Sequence, residues 1–122
     1  MKRQIKLKLK ILRGKLIARL LGNHRLAVIA KGEHGLFAVD PQDFGVAKQL
    51  LQHGNYSESE ITRLERFITP GSYVMVVGAH VGSLVIPLSK LCKKIIAIEA
   101  SPVNYDLLTI NLRVGTKINS QF

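Results

Sequence analysis

The chain has 122 residues, 47% of them hydrophobic, which is enough to bury one core and argues against disorder throughout. Its net charge of +10 is lopsided: residues 1–25 hold nine Lys or Arg and no acid, while residues 26–122 set nine basic against eight acidic side chains. This argues against a broad nucleic-acid-binding face on the globular part, and the single cysteine, Cys92, excludes an intramolecular disulfide or a cysteine-built zinc site and points to a reducing, cytoplasmic setting.

Residues 1–25 form a basic N-terminal arm. Apolar and cationic residues alternate strictly from Ile5 to Ile11, a strand-like period, whereas Leu12, Leu16, Leu20, Ile17 and Leu21 follow a helical one, so a helix with a ragged start is expected. Lys6, Lys8, Lys10, Arg13, Lys15 and Arg19 interrupt every apolar run, which excludes a signal-peptide centre. No stretch approaches the roughly 20 apolar residues that span a bilayer. At 100° per residue the cations do not gather on one side, so the arm reads as a solvated or loosely docked helix, with peripheral contact to an anionic membrane as the second reading.

Residues 26–69 are expected to form a small α+β lead-in. LAVIAKGEHGLFAV, from Leu26 to Val39, suggests two short strands around a turn at Lys31 to Gly35. Asp40-Pro41-Gln42-Asp43 predicts a further turn, and Phe44 to Gln52 a short helix ending at Gly54. Ser57-Glu58-Ser59-Glu60 reads as a capping box, with Ile61, Leu64 and Ile68 on one face of the helix behind it.

Residues 70–122 read as a β-α-β-α unit. Tyr73 to Val77 has the continuous apolar character of a parallel strand buried on both faces, Ser83 to Leu91 is the crossover helix, and Ile95 to Glu99 is the second strand. Pro87 disturbs the crossover helix least if it lies near the first turn. Ser101 and Pro102 then supply an N-cap and a first helical residue, with Tyr105, Leu108 and Leu112 on a shared face. Strands this apolar leave uncovered edges unless something pairs with them, so self-association is expected.

That order places a cofactor site at the carboxyl ends of two parallel strands. Gly78 and Gly82 frame the turn, and Glu99 follows 21 positions after Gly78, where a carboxylate can accept hydrogen bonds from two ribose hydroxyls. Gly78-Ala79-His80-Val81-Gly82 lacks the middle glycine of a dinucleotide-binding turn, which lets pyrophosphate approach the backbone. S-adenosylmethionine carries no phosphate, so the spacing leans towards that cofactor. No metal is expected, since His80 has no ligand partners nearby in the chain.

With these residues in view, the chain resembles the FkbM family of class I S-adenosylmethionine-dependent methyltransferases. The family's strand running into Asp-x-Gly-Ala-Asn-x-Gly is similar to Val76 to Gly82. Its acidic residue, short turn, proline, Asn-Tyr, leucine and asparagine are matched by Glu99-Ala100-Ser101-Pro102-Val103-Asn104-Tyr105 with Leu108 and Asn111. Val76 stands where the family has an acidic residue that helps order the methionine end of the cofactor, His80 where it has asparagine, and Ala100 where proline is common. The resemblance runs from about Phe37 to Asn111. It implies the first half of a Rossmann-like doubly wound sheet, with S-adenosylmethionine at Gly78, Ala79, His80, Gly82, Glu99 and Ala100, and methylation of a hydroxyl on a sugar, polyketide or other small metabolite. It also implies that the later strands, the adenine loop and the catalytic base lie beyond these residues, so no catalytic residue is assigned.

Two other classes stay open. A non-catalytic, truncated remnant would act as a basic adaptor, binding anionic lipid or RNA through residues 1–25. A dinucleotide-binding oxidoreductase would compete for the same turn, and the missing middle glycine weighs against it.

Overall fold

A computed structural model describes residues 2–119, with side chains described for residues 3–114. Met1 and residues 120–122, the outer ends of the expected arm and cofactor unit, lie outside the described residues. The architecture is mixed α/β, in the order α1 (Lys2–Leu21), β1 (Val28–Gly32), β2 (Gly35–Val39), α2 (Val46–His53), α3 (Glu58–Glu65), β3 (Tyr73–Val77), α4 (Val85–Ser89), β4 (Lys94–Ile98) and α5 (Pro102–Asn119). β1 and β2 form an antiparallel hairpin, and β3 pairs with β4 in parallel in a separate two-stranded sheet.

α1 is helical from Lys2, and its apolar and basic side chains are spread around the whole circumference rather than sorted onto two faces. Ile5, Leu7, Leu9, Leu12, Leu16 and Leu20 are all exposed. The helix stops before Gly22, whose φ of 83° is left-handed, and Arg25 Nη1 donates to the Gly22 carbonyl at 2.6 Å. No helix among the described residues is long and apolar enough to cross a membrane.

The hairpin turns at Glu33 and His34, with Gly32 opposite Gly35. Asp43 starts α2 by accepting from the Gly45 amide at 2.7 Å and the Ala47 amide at 3.0 Å, and Gly54 ends it with a left-handed φ of 73°. The expected capping box at α3 does not form. Ser57 adopts φ 55° and ψ 37°, not the extended backbone from which a hydroxyl reaches the first amides, and its carbonyl accepts from Glu60 and Ile61 instead. Ile61 is buried, but Leu64 is exposed and Ile68 falls beyond the helix end, so the expected three-residue apolar face reduces to one side chain.

α4 is shorter than the expected Ser83 to Leu91. Pro87 has no amide to donate to Ser83, and the last turn tightens, with Lys90 bonding to Pro87 and Leu91 to Leu88. β3 and β4 have one covered face, not the two expected. Val76, Ile95 and Ala97 pack against Ala79, Val85 and Leu108, while Tyr73, Met75, Val77, Ile96 and Ile98 form an exposed apolar face. No helix covers that side among the described residues, which leaves each strand alternating between half-buried and exposed positions.

α5 carries Leu107 and Leu108 into two hydrophobic clusters. Leu107 joins Phe37, Val39, Leu50, Val81 and Ile86, so the lead-in and the parallel unit share a core, and Leu108 joins Ala79 and Val85 beneath the parallel sheet. Tyr105, expected on the buried face, is 54% exposed, and Asn111, one turn on from Leu107 and Leu108, is 1% exposed in its place.

Candidate functional site

The turn after β3 is built from residues in left-handed conformation. Gly78 (φ 76°), His80 (φ 52°) and Gly82 (φ 92°) all have positive φ, and the amides of Gly78 and Ala79 both donate to the Ile98 carbonyl at the end of β4, at 2.9 and 3.0 Å. A side chain at Gly82 would place Cβ 2.9 Å from Leu108 Cδ1, so this glycine lets the turn sit directly on α5. Around Gly78 the space is open, and only its φ calls for glycine.

Glu99 ties this turn to the one after β4. Its Oε2 accepts from the His80 amide at 2.7 Å and its Oε1 from the Ser101 amide at 2.8 Å. The Ser101 amide first and the His80 amide next hold the Glu99 carboxyl below its ordinary range; burial opposes them, and the neighbouring His80 ring and the Ala100 amide add smaller lowering effects. Each carboxylate oxygen accepts one amide and retains capacity for another donor.

The His80 side chain turns away from Glu99. Its Nε2 lies 3.8 Å from Asp43 Oδ2, beyond hydrogen-bond length, and its Nδ1 is buried without a hydrogen-bond partner among the described residues. The imidazole therefore makes no hydrogen bond to the turn; that contact comes from the His80 backbone.

A cavity of about 260 Å³ opens beside the turn. Gly78, Ala79 and His80 form one side, with Val76 beneath and Ser83 and Leu84 beyond, and the lead-in closes the other side with Val46, Tyr56 and Glu60. Of the residues expected from sequence, the fold thus brings Gly78, Ala79 and His80 to one cavity. Gly82 packs behind them, Glu99 braces the turn from the end of β4, and Ala100 is exposed and does not line the cavity.

Sequence reasoning missed Tyr56 and Glu60 as cavity residues and Asn111 as the polar group that holds the parts together. Asn111 Nδ2 donates to the carbonyls of Ala38 (3.0 Å) and Val81 (2.8 Å), and its Oδ1 accepts from the Ala38 amide. A buried asparagine two turns into an apolar helix face was the available signal, since it must find partners for both ends of its amide. No protein-family model matches the chain, and no curated protein matches it.

Proposed function

We propose that this chain carries the cofactor-binding part of a Rossmann-like, class I S-adenosylmethionine-dependent methyltransferase acting on a hydroxyl of a sugar or other small metabolite. The observation that carries the reading is the left-handed turn Gly78 to Gly82, braced through the His80 amide by Glu99 at the end of the neighbouring parallel strand and opening on a cavity.

The cavity's chemistry fits the methionine end of such a cofactor. Val76 stands where the resemblance leads one to expect an acid, and the acidic residue that lines this cavity is Glu60, from the lead-in; a carboxylate there suits an ammonium group. His80 Nδ1 is a buried polar atom in need of a partner. A phosphate cradle is less well supported. His80 occupies the place of the middle glycine in a dinucleotide turn, with a left-handed φ of 52° but with a side chain attached, which impedes close approach of pyrophosphate.

Gly78, Ala79, His80 and Glu60 would hold the cofactor, with Glu99 keeping the turn in shape and offering its remaining acceptor capacity to ribose. When bound, the cofactor supplies an electrophilic methyl group for in-line transfer to a hydroxyl oxygen. The chain's part is to orient it, because most of the rate advantage in such a transfer comes from alignment. Isothermal titration with S-adenosylmethionine tests the reading, with NAD as competitor. Heat of binding that NAD does not suppress is the expected result, and a folded sample that gives no heat sinks it.

A second reading concerns the arm. α1 exposes Ile5, Leu7, Leu9, Leu12, Leu16 and Leu20 among cations without a single acid, a combination suited to an anionic bilayer surface. Retention on anionic vesicles that disappears when residues 2–25 are deleted is the expected outcome; retention unchanged by the deletion removes the arm from the account.

A further inference from the structure

We propose that Glu33, His34 and Glu58 form a site for a divalent transition-metal ion of the zinc class, separate from the cofactor cavity. Two of the residues make up the turn between β1 and β2, and the third is the first residue of α3. One ligand atom from each lies within 4.8 Å of the other two. His34 Nε2 stands 3.0 and 3.3 Å from the two oxygens of Glu58.

The spacing matches what such an ion requires. Ligand atoms about 2.0 to 2.2 Å from a tetrahedral zinc stand roughly 3.3 Å apart. The His34–Glu58 pair is already at that separation, and the ion would replace the proton between them. Glu33 is exposed, so its carboxylate can swing in to close the remaining distance of up to about 1.5 Å.

The backbone beneath the ligands is held on several sides. The Glu33 amide donates to the Gly54 carbonyl at 2.8 Å, and Lys90 Nζ donates to the His34 carbonyl at 3.0 Å. Asn55 Nδ2 donates to Glu33 Oε1 at 3.1 Å, which orients that carboxylate from outside the ligand set, as hydrogen-bond donors around metal sites do.

The donor set selects among ions. One imidazole nitrogen and two carboxylates suit a borderline ion, whereas calcium and magnesium favour oxygen ligands throughout. Two carboxylates also balance a dication, and three protein ligands leave a fourth position for water. The ion would join the hairpin turn to α3, the helix that brings Glu60 to the cavity. Glu58 lies 24 residues after His34, so no metal-binding spacing is visible in the chain; folding brings it to the adjacent pair Glu33 and His34.

Thermal unfolding of the full chain, stripped with a chelator and then supplied with Zn²⁺, Mg²⁺ or Ca²⁺, tests the site. At tenfold excess over its dissociation constant, Zn²⁺ should raise Tm by about 5 °C, with Mg²⁺ and Ca²⁺ giving no rise. His34→Ala and Glu58→Gln should each abolish the Zn²⁺-induced rise, measured against the same variant with chelator, so that the lost His34–Glu58 contact does not enter the comparison. His24→Ala and His53→Ala should keep it. The absence of a rise in the parent chain, or a rise that survives His34→Ala, overturns the proposal. Co²⁺ offers a second readout: visible absorption bands that are present in the parent and lost in His34→Ala support the site, and their absence from the parent overturns it.

Discussion

Asn111 completes the hydrogen bonding of Ala38 as a neighbouring strand would. Its side-chain amide accepts from the Ala38 amide and donates to the Ala38 carbonyl across 73 residues of sequence, so the free edge of β2 is paired by one side chain from α5. The same amide reaches the Val81 carbonyl in the glycine turn. One buried group thus fixes the lead-in, the last helix and the candidate site relative to each other.

Asn111→Leu keeps the branched shape in a somewhat larger side chain and leaves the Ala38 amide and the carbonyls of Ala38 and Val81 without these partners. A loss of about 2 to 4 kcal/mol is expected, the scale for stranding several buried polar groups, measured as a lower midpoint in urea. A midpoint within error of the parent would show that water reaches these groups.

Gly78 and Gly82 separate two uses of glycine. Gly78→Ala meets open space and bears only the cost of a left-handed backbone, about 1 kcal/mol. Gly82→Ala bears that cost and also presses on Leu108, so about 2 to 3 kcal/mol is expected, with chemical denaturation of the two variants as the check. Equal losses would mean that Leu108 moves aside freely.

The Glu99 carboxyl is held below its ordinary value of 4.5 by the amides of Ser101 and His80. A group whose folded pKa is depressed adds stability that is fully present above its unfolded pKa and is lost as pH falls through the folded one. Parent and Glu99→Gln should therefore differ most in stability above about pH 4.5 and converge as acid is added, followed by denaturation at a series of pH values. A constant difference down to the lowest pH would place the stabilisation elsewhere than in the carboxylate charge.

The exposed side of β3 and β4 sets Met75 beside Ile96 and Val77 beside Ile98. Concentration-dependent association is expected in sedimentation velocity, and Met75→Lys together with Ile96→Lys should shift the chain towards monomer. A parent that stays monomeric at high concentration would show that this face is not self-adhesive.

Much of this arrangement was legible in the sequence because local chemistry governs it. The glycines at residues 32 and 35, Asp43, Gly54 and the strand at Tyr73 to Val77 each act within a few residues, and the hairpin, α2 and β3 fall where expected. The failures share a different cause. Ser57 has the composition of a cap, but its backbone is left-handed; Tyr105 has the spacing of a core residue, but α5 is rotated so that Leu107 and Asn111 face inward. Strand composition likewise shows apolarity but not whether a second layer covers it, and neither the cavity contribution of Glu60 nor the meeting of His34 with Glu58 has a local signature.

The adjacent leucines of α5 also bear on synthesis. Leu107 closes the cluster around Phe37, and Leu108 closes the one beneath the parallel sheet, so neither cluster is complete on a nascent chain until this helix has emerged from the ribosome. Before then the hairpin and α2 can assemble through short-range contacts, but their apolar surface stays open to solvent. The interval before α5 arrives is when a chaperone that shields apolar surface would matter most to this chain, and slow translation just upstream of Leu107 would lengthen it.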